Sequence, residues 1–255
     1  MGTRVAPDSD SLLYYKFDSL SPFVNTGALG TAKNMTSLSG ESSLHLGGTK
    51  FGPVFRDGGC LAFNTDVSGG PASIQLAHFT WPTQNITVSG WFTWYRTAGG
   101  TGNIERTFFK WWTPTGWASP YVGMSLWEFQ NAAMYQGSVG YGVSSNVGAS
   151  LARQLGLPPM WMAHHVGLTY GDGNLKTYID GQLSLTVAQA GALNLGTGPW
   201  AIGADGGGSA SHAGFLCEEI RICQVVRNAE WFASVYQAGI PSAGIGRRQV
   251  LARVL

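Results

Sequence analysis

Four aromatic residues, Trp111, Trp112, Trp117 and Tyr121, crowd one short stretch of this chain. Exposed indole and phenol rings stack on the apolar faces of sugars, so the cluster is a candidate glycan-binding surface. The competing use of the same rings is to fill a sandwich interior or a subunit contact. Trp111 and Trp112 are neighbours on a predicted strand. Successive strand positions belong to opposite faces, so one of the pair faces the core and the other the far surface.

Other reactive residue types are spaced less favourably. The 14 acidic residues are scattered, whereas hydrolysis of a glycosidic bond needs two carboxyl groups facing one sugar. The nearest approach is Glu218-Glu219, adjacent on one strand and therefore on opposite faces. Glu219 and Arg221 share a face and are placed to pair, a structural role. His164 and His165 are likewise adjacent, which prevents both imidazoles from clamping one ion. No Gly-x-Ser-x-Gly elbow or Cys/His context supports a nucleophile. The glycine-rich loop 203–209 follows a predicted strand without a helix behind it, so a phosphate cradle is not expected. Cys60, Cys217 and Cys223 are odd in number and irregularly spaced, matching neither a zinc site nor a disulfide framework. Cys217 and Cys223 fall on one predicted strand and read as packed thiols.

The elements that position these residues are strands. The chain has 255 residues, of which only 11% are charged, with 37 Gly and a large aromatic complement of 10 Trp, 9 Tyr and 12 Phe. Glycine supplies turns and aromatics fill sheet faces, so the composition favours a turn-rich β protein over a helical or disordered one. A net charge of +1 gives no electrostatic grip on nucleic acid or an anionic membrane. Neither a spanning apolar run nor a secretory signal at the start is read.

The clearest pattern is Trp161 to Gly181. Val166, Leu168 and Tyr170 alternate with His165, Gly167 and Thr169. Leu175, Thr177 and Ile179 then alternate with Lys176, Tyr178 and Asp180, with turns predicted at Gly-Asp-Gly-Asn and at Asp180-Gly181. A third strand at 183–187 completes an antiparallel meander. Further strands are predicted at 12–17, 43–46, 60–63, 73–76, 86–95, 107–112, 121–127, 132–136, 200–202 and 214–226. One helix is predicted at 228–236, with Asn228 as its N-cap. The organisation is an N-terminal arm, 1–11, one domain, 12–236, and a C-terminal arm, 237–255. The last of these interleaves Arg247, Arg248 and Arg253 with Val250, Leu251, Val254 and Leu255. It reads either as a frayed tail or as an assembly arm held by neighbouring subunits.

Four segments together resemble the concanavalin A-like lectin/glucanase superfamily in its laminin-G-like branch. They are Tyr14-Tyr-Lys-Phe-Asp18, Ile86-Thr-Val-Ser-Gly-Trp-Phe92, His164 through Gly181, and the closing pair 199–203 and 218–227. Trp161 precedes His164 by three positions, where the family usually places Trp immediately before its His pair. The resemblance implies an all-β jelly-roll sandwich of two antiparallel sheets with one short C-terminal helix. It also makes His164 and His165 framework positions. Such domains often hold calcium through Asp side chains and loop carbonyls, which would fall to Asp172 or Asp205. Single Asp residues in Gly-rich turns are more often turn formers, and no cofactor is expected.

Two non-enzymatic roles follow from this reading. The first is a structural or adhesion subunit of a multi-subunit particle, most concretely a bacteriophage virion protein such as a capsid decoration or tail/fibre component. It would be homo-oligomeric and located in the virion with other virion proteins. The alternative is a free lectin module, extracellular or at a cell surface, that binds glycan on Trp111, Trp112, Trp117 and Tyr121.

Overall fold

The computed structural model describes residues 2–17, 24–33, 82, 84–94, 163–193, 202 and 215–240, with the backbone of the remaining strand residues named below. The strands are β1 (Ser11–Tyr15), β2 (Ser42–Leu46), β3 (Gly59–Phe63), β4 (Ile74–Leu76), β5 (Ile86–Trp94), β6 (Asn103–Trp112) and β7 (Tyr121–Asn131). They continue with β8 (Met134–Ser145), β9 (Gly148–Leu155), β10 (Ala163–Gly171), β11 (Asn174–Ile179), β12 (Gln182–Ala188), β13 (Trp200–Ile202) and β14 (Phe215–Cys223), before helix α1 (Ala229–Gly239). One eight-stranded sheet runs β12-β11-β10-β5-β14-β3-β2, with β1 also on β14; a six-stranded sheet runs β4-β13-β6-β7-β8-β9. All the pairings are antiparallel. Edge strands β9 and β12 come together where the two sheets meet.

The predicted meander forms as read. Asp172 and Gly173 (φ 51° and 71°) turn β10 into β11, and Asp180 and Gly181 (φ 51° and 78°) turn β11 into β12. Two consecutive positive φ values match the right-handed strand twist, and Asp-Gly reaches them at little steric cost. Register then separates the faces of the eight-stranded sheet. The rung Leu168–Val88–Ile222 is fully buried and belongs to the sandwich core. Burying each such side chain stabilises the fold by about 1.5–3 kcal/mol. The next rungs, His165–Trp91–Glu219 and Gly167–Ser89–Arg221, lie on the other face.

That outer face is polar yet buried, because two segments cover it. Helix α1 starts at Asn228, whose side chain accepts from the Trp231 amide. The helix lays Phe232 flat on Tyr178, with 3.8 Å between centroids, and passes over Gly167, where any Cβ would run into the Phe232 ring. Residues 2–10, read from sequence as an arm, form a strap beside the helix. The Thr3 amide donates to the Ala238 carbonyl (2.7 Å). Arg4 donates to the carbonyls of Lys16 (3.1 Å) and Glu218 (3.0 Å). Arg227 grips both carboxylate oxygens of Asp8 at 2.6 Å. Burial alone would raise the Asp8 pKa, but the Ser11 hydrogen bond and the Arg227 charge outweigh it and lower it.

Beyond these, β8 is longer than predicted and β9 was not read from the sequence at all. Gly140, Gly142, Ser138 and Ser144 signal turns, yet Val139, Tyr141 and Val143 alternate with them in the period of a strand.

Candidate functional site

The face of each strand position in the six-stranded sheet follows from one buried residue. Ile202 is fully buried, and its rung, Ile74–Ile202–Phe109–Met124–Tyr141–Ala152, is apolar throughout. This is a core-side rung. The rung Leu76–Trp200–Trp111–Val122–Val143–Ser150 lies two residues along and has the same parity. Between them runs Gln75–Ala201–Lys110–Gly123–Gly142–Leu151, an outer-face rung with lysine at its centre. Trp112 and Tyr121 share that outer parity and are direct cross-strand partners.

The structure thereby divides the sequence candidates. Trp111 takes a core-side position, cross-strand from Trp200. Trp112 and Tyr121 take outer positions as a pair. Trp117 lies outside the described residues, as do Arg247, Arg248, Val250, Leu251, Arg253 and Leu255 of the C-terminal arm. Beside the aromatic pair the outer positions are small: Ala201, Gly123 and Gly142, then Ser125 and Gly140. Trp127 and Ser138 share the next outer rung, so Trp127 sits six residues from Tyr121, roughly 20 Å along β7. Trp127 ends the strand predicted at 121–127 and is not among the four aromatic candidates. The signal for a role was its even spacing from Tyr121.

The paired histidines are framework. His164 Nδ1 is 2.8 Å from Asp180 Oδ2, and the other carboxylate oxygen of that turn aspartate accepts from the His165 amide at 3.1 Å. His165 is fully buried between Trp91 and Phe232, at centroid distances of 5.2 and 5.9 Å. Neither ring nitrogen has a hydrogen-bond partner. Burial first, and the nearby Arg221 charge second, push its pKa down to about 3. A histidine held neutral in an aromatic box is unsuited to acid–base work near neutrality.

Glu219 and Arg221 do pair, at 3.5 Å, with both side chains about 1% exposed. Tyr14 donates to Glu219 at 2.9 Å, Arg4 lies 3.7 Å from the same carboxylate oxygen, and the Arg221 guanidinium sits 4.4 Å above the Tyr14 ring. The Tyr14 pKa is driven up by burial and by the Glu219 charge. A bulge between Cys217 and Glu219 interrupts the alternation expected of Glu218-Glu219. Both carboxylates are buried, closed off from any sugar.

Cys217 and Cys223 are buried free thiols, as their strand context predicts. Asp172 is a turn former whose carbonyl accepts from Asn174 Nδ2 at 2.8 Å. It borders a cavity of about 310 Å³ together with Gln84, Asn85 and Tyr170. Among the described residues no group of three or more His, Cys, Asp or Glu is gathered to hold a metal, and Asp205 lies outside those residues.

Comparison with known proteins agrees with this architecture. No curated protein sequence matches the chain. Among solved structures it is similar to domain 4 of AbnA, an extracellular arabinanase of Geobacillus stearothermophilus, in complex with arabinotriose. That similarity has a TM-score of 0.55 and 16% identity, over 89% of this chain and 98% of the other. It is also similar to the receptor-binding domain of botulinum neurotoxin mosaic serotype C/D, with TM-score 0.59 and 13% identity over 90% of this chain. A botulinum neurotoxin type C structure, whose cell entry depends on interaction with two ganglioside molecules, matches at TM-score 0.58 and 12% identity over 91% of this chain. The chain spans about half of these toxin structures, 51% and 52%. At such identities the likeness concerns the fold. The family profile Laminin_G_3, of the concanavalin A-like lectin/glucanases superfamily, matches residues 68–233. Covering most of both sheets, that match establishes that the chain belongs to the laminin-G-like branch of the concanavalin A-like lectin/glucanase superfamily.

Proposed function

We propose that the chain is a non-catalytic carbohydrate-binding module whose ligand lies along the outer face of the six-stranded sheet. The observation that carries this reading is the register of Trp112 with Tyr121 beside a floor of Ala201, Gly123 and Gly142. Paired aromatic positions with small residues at the neighbouring positions are a combination that suits sugar stacking. Two of the structural relatives support the sugar reading, one in complex with arabinotriose and one dependent on gangliosides. Glu105 is the one carboxylate among the described outer positions of β6 to β9. Acid–base cleavage of a glycoside uses two carboxyl groups, so binding without turnover fits better.

The virion-subunit expectation rested on the laminin-G-like resemblance together with low charge, no secretory signal read at the start and irregular terminal arms. Its C-terminal arm lies outside the described residues, and neither the family match nor the structural relatives concern a particle, so the sugar-binding role is the better supported.

A glycan array followed by calorimetry on the hits tests the proposal. Trp112→Ala and Tyr121→Ala should each weaken a hit by about ten-fold, the loss of one stacked ring. Unchanged affinities in both folded variants would refute it.

A further inference from the structure

We infer that the cavity bordered by Asp172 is a second ligand site, on the eight-stranded sheet, that takes one neutral, hydroxyl-rich ring. The choice of a sugar among hydroxyl-rich molecules rests on the carbohydrate-binding reading; the site itself does not. Three segments build it: the residues just before β5, the β10–β11 turn, and the loop after β12. Hydrogen bonds within the chain hold these walls together. The Tyr170 hydroxyl donates between the carbonyls of Ala190 and Gly191, at 3.1 and 2.7 Å. The Gln189 amide donates to the Gly173 carbonyl at 2.8 Å. Tyr170 is also the cross-strand partner of Ile86, which brings Asn85 beside Gly171. A Cβ on Gly171 would come within 2.7 Å of Asn85 Oδ1, so glycine is what lets the two segments meet. Asp172 and Gly173 have positive φ because their hairpin requires it. Asn85 (φ 61°) and Gly191 (φ 96°) belong to no hairpin, yet both border the same cavity. Left-handed residues outside turns are costly and collect where a ligand is held.

The lining selects the ligand. Gln84, Asn85 and Asp172 are exposed, and among the described residues their amides and carboxylate make no hydrogen bond or ion pair. Two amides supply both donors and acceptors, and the carboxylate takes charge-assisted bonds from hydroxyl groups. That combination suits neighbouring hydroxyls on one ring. The described lining residues include no Lys, Arg or His, so an anionic group finds no cation. Tyr170 is their one aromatic and is 2% exposed, which leaves little apolar surface for a hydrophobic ligand to cover. A lone carboxylate is thin for calcium, which takes six to eight oxygens. The volume of about 310 Å³ is at the small end for a ligand cavity, roughly 300–1,000 Å³, and fits a single ring rather than a chain.

The test is a titration of the ¹⁵N-labelled chain with arabinose, galactose and glucose, followed by NMR at the amides of Gly171, Gly173 and Gly191. Saturable shifts there are expected, with Kd roughly 1–10 mM for one ring held by a few polar contacts. They should persist in EDTA and in Trp112→Ala/Tyr121→Ala. Asn85→Gly retains the left-handed backbone and Asp172→Asn retains the turn, and each should weaken the titration about ten-fold. Unmoved amides at all three glycines with every sugar would overturn this site and leave the outer-face reading to its own variants. Equal affinity in both folded variants would overturn it as well. Binding abolished by EDTA would assign the cavity to a cation, and shifts lost in the folded Trp112→Ala/Tyr121→Ala protein would remove its independence; either result contradicts the proposal.

Discussion

His165 should make this domain sensitive to acid, and its environment sets the size of the effect. The folded domain keeps the imidazole neutral down to about pH 3, because Trp91 and Phe232 enclose it and the Arg221 charge disfavours a second cation. In the unfolded chain the same group takes its proton near pH 6.5. Above that pH both states are neutral and His165 leaves stability independent of pH. As pH falls below 6.5 the unfolded state gains a proton that the folded state refuses, removing about 1.4 kcal/mol of stability per pH unit until about pH 3. By pH 4.5 the loss from this one residue is about 3 kcal/mol, and the limiting loss is about 5 kcal/mol. His165→Leu removes the titrating group and keeps an apolar filling against Phe232. Urea unfolding of both proteins at about pH 7 and pH 4.5 cancels the carboxylates they share. The variant should lose about 3 kcal/mol less on acidification, equivalent to 6–12 °C in Tm for a domain of this size. Parallel losses in the two proteins would refute the account of a neutral, unpartnered histidine in a closed aromatic box.

The packing of α1 and the strap can be probed in the same way. Gly167→Ala puts a methyl group into the Phe232 ring and should cost about 1–3 kcal/mol in urea unfolding, since over-packing forces helix and sheet apart; a neutral result would mean that α1 does not sit on β10. Arg4→Met should cost about 2 kcal/mol, because two carbonyls lose their donor while Glu219 keeps Arg221 and Tyr14. Hydrogen exchange at the Thr3 amide should accelerate in that variant, and unchanged protection would show that Arg4 does not fasten the strap.

Much of this fold was legible because its signals are local. Alternation in β10 and β11, the two Asp-Gly turns and the Asn228 cap each depend on a few neighbouring residues, and each forms as read. The strap was not legible. Arg4 and Asp8 are polar residues in a polar segment, and nothing local says that Glu218, Glu219 and Arg227 will be opposite them. Much of β8 was hidden by glycine and serine, which mark turns in most chains but here, at Ser138, Gly140 and Gly142, make small outer positions of a sheet. The candidate site was half legible. Composition drew attention to Trp111, Trp112 and Tyr121, and strand geometry required Trp111 and Trp112 to part. Which of them faces outward depends on pairing with Ile202, far along the chain. Trp200 and Lys110 reach their places through that same long-range pairing.

The central claim is that the outer face of the six-stranded sheet binds sugar through Trp112 and Tyr121. Calorimetric titration of the best array hit into the wild type and into Trp112→Ala/Tyr121→Ala tests it most directly, with near-UV circular dichroism confirming that the variant is folded. Saturable binding by the wild type, weakened about a hundred-fold in the double variant, is the expected result. Equal affinity in the two proteins would place the sugar elsewhere and contradict the account.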